Sequence, residues 1–213
     1  KKIKTQSIPI MFEPRIANNL LSTLSSAISG SSFARGTSFL KEKLNKKIFS
    51  NDIDIIDDPR IKKSMYSKPF DDEGVSSEKI YLVKDGVLKN LKLGSYYSKM
   101  LNMKSNGRSS GLTNTYFTNG KKSCEEMKKS LGKYILVTET MGGFGNTITG
   151  EFSCGAAGVY YENGDSYSIN NFTLGGKLED MFMNLVLADD LKFKYSKNSP
   201  TALIQEGLIV GGQ

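Results

Sequence analysis

The sequence predicts an α+β fold, with a mainly antiparallel sandwich or barrel-like β core and helices at its periphery. Strand-like runs outnumber helical ones. They are joined by tight Asp-Gly and Asn-Gly turns, which favour antiparallel neighbours. The helical segments are short and amphipathic, as expected of elements lying on a sheet.

The elements follow in order. "IKTQSIPIMF" reads as an opening strand. A helix follows over "NNLLSTLSSAISG", with Pro14 near its start. Leu20, Leu24, Ala27 and Ile28 recur at helical spacing, and Gly30 is its expected stop. Thr37 to Leu44 is expected to continue as helix. "KIYLVKDGVLKNLKLGS" is a hairpin signal turning on Asp85-Gly86. "YYSKMLNM" fits a short helix. "SCEEMKKSLG" is another, with Ser123 as N-cap, Glu126 completing a capping box and Gly132 as its stop. "KYILVTET" is a strand expected to be buried. "MGGFGNTITGEFSCGAAGVYYENGD" mixes glycine with strand formers and turns at Asn163-Gly164. "GGKLEDMFMNLVLA" reads as an amphipathic helix, and "TALIQEGLIVGG" returns to strand.

A length of 213 residues suits one large domain or two small ones and can bury a substantial core. Hydrophobic residues make up 38% and charged residues 24%, a somewhat polar but globular balance. No apolar run is long enough for a membrane-spanning helix, and no signal peptide is evident. The opening "KKIKTQSIPI" has no Met and reads as the cut end of a longer protein. The net charge of +7 raises the prospect of a polyanion partner. The lysines are dispersed, however, and "NDIDIIDD" and "FDDEG" interrupt them. Solvated lysine-rich faces account for this pattern better than a nucleic-acid groove does.

Two cysteines, Cys124 and Cys154, form no disulfide framework, which fits a reducing cytoplasm. Each is expected to be an idle thiol. The sequence contains no histidine. That removes imidazole as the base for a serine or cysteine nucleophile, and it removes the commonest zinc ligand. A carboxylate-only site remains open. Asp71, Asp72 and Glu73 are adjacent, but consecutive residues on a strand point to opposite faces, so the cluster reads as a turn. "MGGFGNTITG" follows a strand as a phosphate loop would, yet it lacks both the GxGxxG and GxxxxGK[ST] spacings. Glycines that let strands bend or pack closely are the simpler reading.

Several motifs occur together in a fixed order: "SAISG", "RGTSFL", "KPFDDEGV", "KDGVL", "NGR", "VTETMGGFGNTITGEFSCGAAGVYYENG" and "LIVGGQ". In that order they resemble the C-terminal domain of the TldD/PmbA family from about Ile8 to the end. The resemblance implies that residues 1–213 are that domain, with the family's N-terminal domain absent. TldD-like members are zinc metallopeptidases with HExxxH on a helix. PmbA-like members, also called TldE, lack that motif and pair with TldD to cleave unfolded peptides.

Aligning on "RGTS" places the first His of the motif at Leu21, the Glu at Ser22 and the second His at Ser26. Leucine offers no ligand atom, and neutral hydroxyls are poor substitutes for imidazole or a carboxylate base. The late Cys ligand of TldD has no counterpart in "KYSKNSPTALI". The resemblance therefore implies a non-catalytic PmbA/TldE-like subunit with no cofactor of its own, zinc being expected only in a TldD-like partner. Its implied ligand is an unfolded peptide, and a homodimer is the expected alternative state of the isolated chain. Thr147, Thr149 and Gly150 lie where the resemblance is densest and are the candidates for the peptide channel or dimer surface. The competing readings are a basic nucleic-acid- or gyrase-associated binding module, matching the family's older label of modulator of DNA gyrase, and an independent hydrolase using carboxylates or a non-histidine metal site.

Overall fold

Pro9 divides the expected opening strand in two, because proline has no N–H for a ladder. In the computed structural model, which describes residues 3–50 and 52–212, the halves are β1 (Gln6–Ser7) and β2 (Ile10–Phe12). Helix α1 (Pro14–Ala27) follows, with Pro14 in the first turn, where a missing N–H is not needed. Ile16, Ala17, Leu20, Leu21, Leu24 and Ala27 form its buried stripe.

Gly30 is not the stop of this helix. It opens α2 (Gly30–Ala34), capped by Ser29, whose hydroxyl accepts the Ser32 N–H. Close approach explains the glycine, since a Cβ there would lie 2.7 Å from the Cβ of Tyr97. The helix expected over Thr37 to Leu44 is instead a run of turns. Lys41 and Lys43 donate to carbonyls three residues back, and Phe39 donates sideways to the carbonyl of Thr147.

A five-stranded sheet begins with β3 (Ile55–Asp57), β4 (Ile80–Lys84) and β5 (Val87–Leu88). The β4–β5 hairpin turns where expected. Asp85 at φ 50° and Gly86 at φ 76° both adopt the left-handed region that a type I′ turn requires. Next come α3 (Ser95–Met100), β6 (Thr115–Phe117) and α4 (Cys124–Lys129). The capping box of α4 is present, with the Ser123 N–H donating to Glu126 Oε2 at 2.7 Å. The helix ends before Gly132, at Ser130 in right-handed conformation.

β7 (Lys133–Met141), β8 (Glu151–Glu162) and β9 (Asp165–Lys177) are the long strands. Asn163 and Gly164 form the β8–β9 turn, both with positive φ. The helix expected over Gly175 to Ala188 shrinks to α5 (Leu178–Met183), followed by β10 (Leu185–Leu187). Gly175 and Gly176 are held in ladders on both sides, by β8 and by the last strand, so only the middle of the segment can coil. The chain finishes with β11 (Lys197–Asn198), β12 (Ala202–Ile204) and β13 (Leu208–Gly211).

The larger sheet has eight strands in the order β1-β13-β9-β8-β7-β2-β12-β10, and the smaller runs β11-β6-β3-β4-β5. Pairing is antiparallel except for β2 with β7 and β11 with β6. The fold is α+β with a half-barrel curled sheet and peripheral helices, as predicted. One apolar cluster joins α1 to both sheets, through residues such as Phe12, Leu20, Leu24, Phe49, Phe117 and Phe182. Within it Phe49 and Phe182 stack with ring centroids 4.4 Å apart. The described residues contain no helix long and apolar enough to cross a membrane.

Candidate functional site

The three positions aligned with the metallopeptidase motif do not converge. Leu21 points into the core and is 1% exposed. Ser22 is half-buried and donates to the carbonyl of Asn18 at 3.3 Å. Ser26 is exposed and donates to the carbonyl of Ser22 at 3.2 Å. Both hydroxyls are thus engaged by the helix's own backbone one turn earlier. Asn18, Ser22 and Ser26 recur every fourth residue and form one polar stripe on the side of α1 away from the core.

The late segment aligned with the family's Cys ligand packs against the same helix, through β11. Asn198 shapes this segment, its Oδ1 accepting the N–H groups of Lys194 and Tyr195 at 2.8 and 2.9 Å. At the C-terminal end of α1, Lys92 donates its N–H to Ile28 and accepts that of Gly30. Burial lowers the pKa of its ammonium, and the nearby charge of Lys197 lowers it further. Lys92 makes no ion pair among the described residues. The Ser22 and Ser26 positions offer only neutral hydroxyls already bonded to backbone carbonyls, poor ligands for a metal cation. Among the described residues no three His, Cys, Asp or Glu side chains gather as a metal site would require.

Beside the N-terminal turns of α1 lies a groove of about 480 Å³. Its walls come from four distant stretches of chain: Glu13 to Asn18, Cys124 with Lys128, Leu136, and Asp190 to Thr201.

The glycine-rich loop flanks α1 on another side. Thr23 donates its hydroxyl to the carbonyl of Phe144 at 2.8 Å. The Phe144 ring meets those of Phe12 and Phe152 edge-on, at 5.9 and 5.0 Å. Thr147 is half-buried, Thr149 is exposed and Gly150 is buried at φ +79°. Asn146 ties the loop together, its side chain accepting the N–H groups of Ile148 and Thr149 and its carbonyl that of Gly150. Those three N–H groups are committed within the loop. The exposed side chains of Met141 and Ile148 flank it.

The acidic cluster is a structural turn. Asp71 accepts the N–H groups of Glu73, Val75 and Ser109. Burial alone would raise its pKa, but these bonds outweigh it and the carboxyl ends below its ordinary value. Glu73 accepts the Ser95 N–H at 2.6 Å at the start of α3, and Asp72 is exposed. Cys154 is buried, which pushes its thiol up to about 11 and makes it inert. Cys124 is half-buried in the groove wall.

Sequence reasoning missed two features. One is the groove, assembled from segments far apart in the chain. The other is the fully buried ion pair between Asp57 and Arg108, with Nε and Oδ2 2.9 Å apart. Its partial signals were Asp57, embedded in the apolar stretch of "NDIDIIDD", and the Arg of "NGR".

A family model described as the PmbA/TldA metallopeptidase C-terminal domain matches residues 5–212. Over 213 residues the chain is 37% identical to the metalloprotease PmbA homolog of Buchnera aphidicola subsp. Acyrthosiphon pisum, a match covering 99% of this chain and 48% of that protein. The metalloprotease TldD homolog of the same organism is 31% identical over 204 residues, covering 84% of this chain and 42% of that one. A crystal structure of a putative modulator of DNA gyrase from Bacteroides thetaiotaomicron superposes with a TM-score of 0.92 at 29% identity, covering 100% of this chain and 48% of that one. The chain spans about half the length of the curated relatives it matches.

Proposed function

The chain belongs to the PmbA/TldA metallopeptidase C-terminal domain family, and on that footing we propose that it is the non-catalytic, PmbA/TldE-like part of a TldD-type metallopeptidase heterodimer acting on unfolded peptides. The observation that carries this reading is the state of α1. Where the catalytic branch places two imidazoles and a carboxylate, this chain has a core leucine and two serines bonded to their own helix. Zinc and the activated water then belong to the partner. This chain contributes walls and backbone to the space in which a peptide lies extended. Thr147, Thr149 and Gly150 are its candidate contacts, on the loop that Thr23 ties to α1.

Pull-down of the tagged full-length protein from its native cell tests the pairing. A histidine-containing TldD-like chain recovered in equal amount supports it. Recovery of this protein only as a monomer or a self-dimer, with the TldD-like chain present in the lysate, counts against it.

A further inference from the structure

We propose that the groove between α1, α4 and the Asp190–Thr201 segment is a subsite for an acidic stretch of peptide. The inference deepens the peptide-channel reading and rests on it. At about 480 Å³ the groove falls in the range of sites that hold small ligands, roughly 300–1,000 Å³.

Four basic side chains line it, Arg15, Lys128, Lys192 and Lys194, against two acidic ones, Glu13 and Asp190. Three of these six charges are already engaged. Asp190 accepts the N–H and the hydroxyl of Thr201, each at 2.7 Å. Lys128 pairs with Glu125 at 2.9 Å, and Arg15 donates to the carbonyl of Thr138 at 2.8 Å. Lys192 and Lys194 are exposed and make no ion pair among the described residues. They are the cations left for a ligand, and a carboxylate is the anion a peptide carries.

Asn18 supplies the second requirement. Its Oδ1 is buried without a hydrogen-bond partner, an unfavourable state that a ligand N–H would relieve. The residue as a whole is half-buried and lines the groove, so a small turn of its side chain meets a peptide main-chain N–H. Of the two groove carboxylates, Glu13 makes no ion pair among the described residues and repels a second acid, which places the acidic side chain at the lysine end. A nucleic-acid strand answers these features less well. It has no main-chain N–H for Asn18, and it carries a phosphate at every residue.

The test is fluorescence anisotropy at low salt with two labelled hexapeptides, one carrying a central Asp-Glu and the other Asn-Gln. The acidic peptide should bind about fivefold more tightly, the scale of one or two exposed ion pairs. Joint K192Q and K194Q substitution should erase that preference and leave the neutral peptide's affinity unchanged. Asn18→Leu should weaken both peptides alike, and Glu13→Gln should strengthen the acidic one. Circular dichroism checks that each variant is folded. Equal binding of the two peptides, no binding of either, or a preference that survives the lysine substitutions would overturn the subsite. So would single-stranded DNA displacing the peptide at equal concentration. Any of these results with the heterodimer intact sinks only the subsite, whereas charge-selective binding by a protein whose pull-down recovers no TldD-like chain sinks only the pairing.

Discussion

The Arg108 guanidinium meets the Asp57 carboxylate at 2.9 Å with both side chains fully out of solvent. Asp57 also accepts the Thr113 N–H and the Thr115 hydroxyl, and Arg108 donates to the carbonyls of Asn106 and Glu78. The pair thus pins the "NGR" turn to β3. Removing one member strands the other charge in the interior. Arg108→Met should cost about 3–5 kcal/mol, and Asp57→Asn together with Arg108→Met should cost less than Arg108→Met alone. Urea unfolding of the single and double variants measures this.

The motif positions of α1 should separate by packing. Leu21→Ala opens a cavity in the core and should cost about 2–5 kcal/mol. Ser22→Ala and Ser26→Ala each lose a weak back-bond but gain helix propensity, so each should stay within about 1 kcal/mol of the parent. Thermal melts of the three variants give the order. A folded, paired Ser22 or Ser26 variant that loses most cleavage would show that this helix contributes chemistry directly.

Asp71 should make the fold acid-sensitive. Its folded-state pKa lies below the ordinary carboxylate value, so its stabilising contribution is complete above the unfolded-state pKa near ~3.9. That contribution is lost as pH falls from there through the depressed folded value. In melts recorded between about pH 6 and pH 2, Asp71→Asn should be less stable than the parent at the neutral end and should converge on it at the acid end. Parallel curves would contradict the assignment.

Cys154 should be silent toward thiol reagents in the folded state at about pH 8, since its thiol is pushed up to about 11 by burial. The sign for stability is opposite to that of Asp71. The unfolded chain loses this proton at lower pH than the folded one, so stability falls as pH rises from about 8.5 toward the folded value. Mass spectrometry after alkylation should find Cys124 modified first and Cys154 only on unfolding.

Much of this was legible where chemistry is local. Asp85-Gly86 and Asn163-Gly164 announced their turns because few residue pairs adopt positive φ so readily. Ser123 and Glu126 announced the start of α4 by reciprocal capping. Misreadings arose where tertiary pairing overrode helical spacing. Gly175 and Gly176 are strand because β8 and β13 hold them, and Phe39 turns away because its N–H is taken by Thr147. The placing of Leu21, Ser22 and Ser26 on the family motif rests on the sequence resemblance and on the absence of histidine. The groove could not be read from the sequence, since Asn18, Lys128 and Lys194 meet only after folding.

The central claim is that this chain shapes a peptide channel without performing the chemistry. The most direct measurement is cleavage of an unfolded peptide, with zinc content determined alongside, for the purified protein alone and after mixing with a histidine-containing TldD-like chain. The account predicts no cleavage and no stoichiometric zinc for this protein alone, and cleavage with zinc in the mixture. Cleavage by this protein alone, with about one tightly bound zinc per chain, would contradict it.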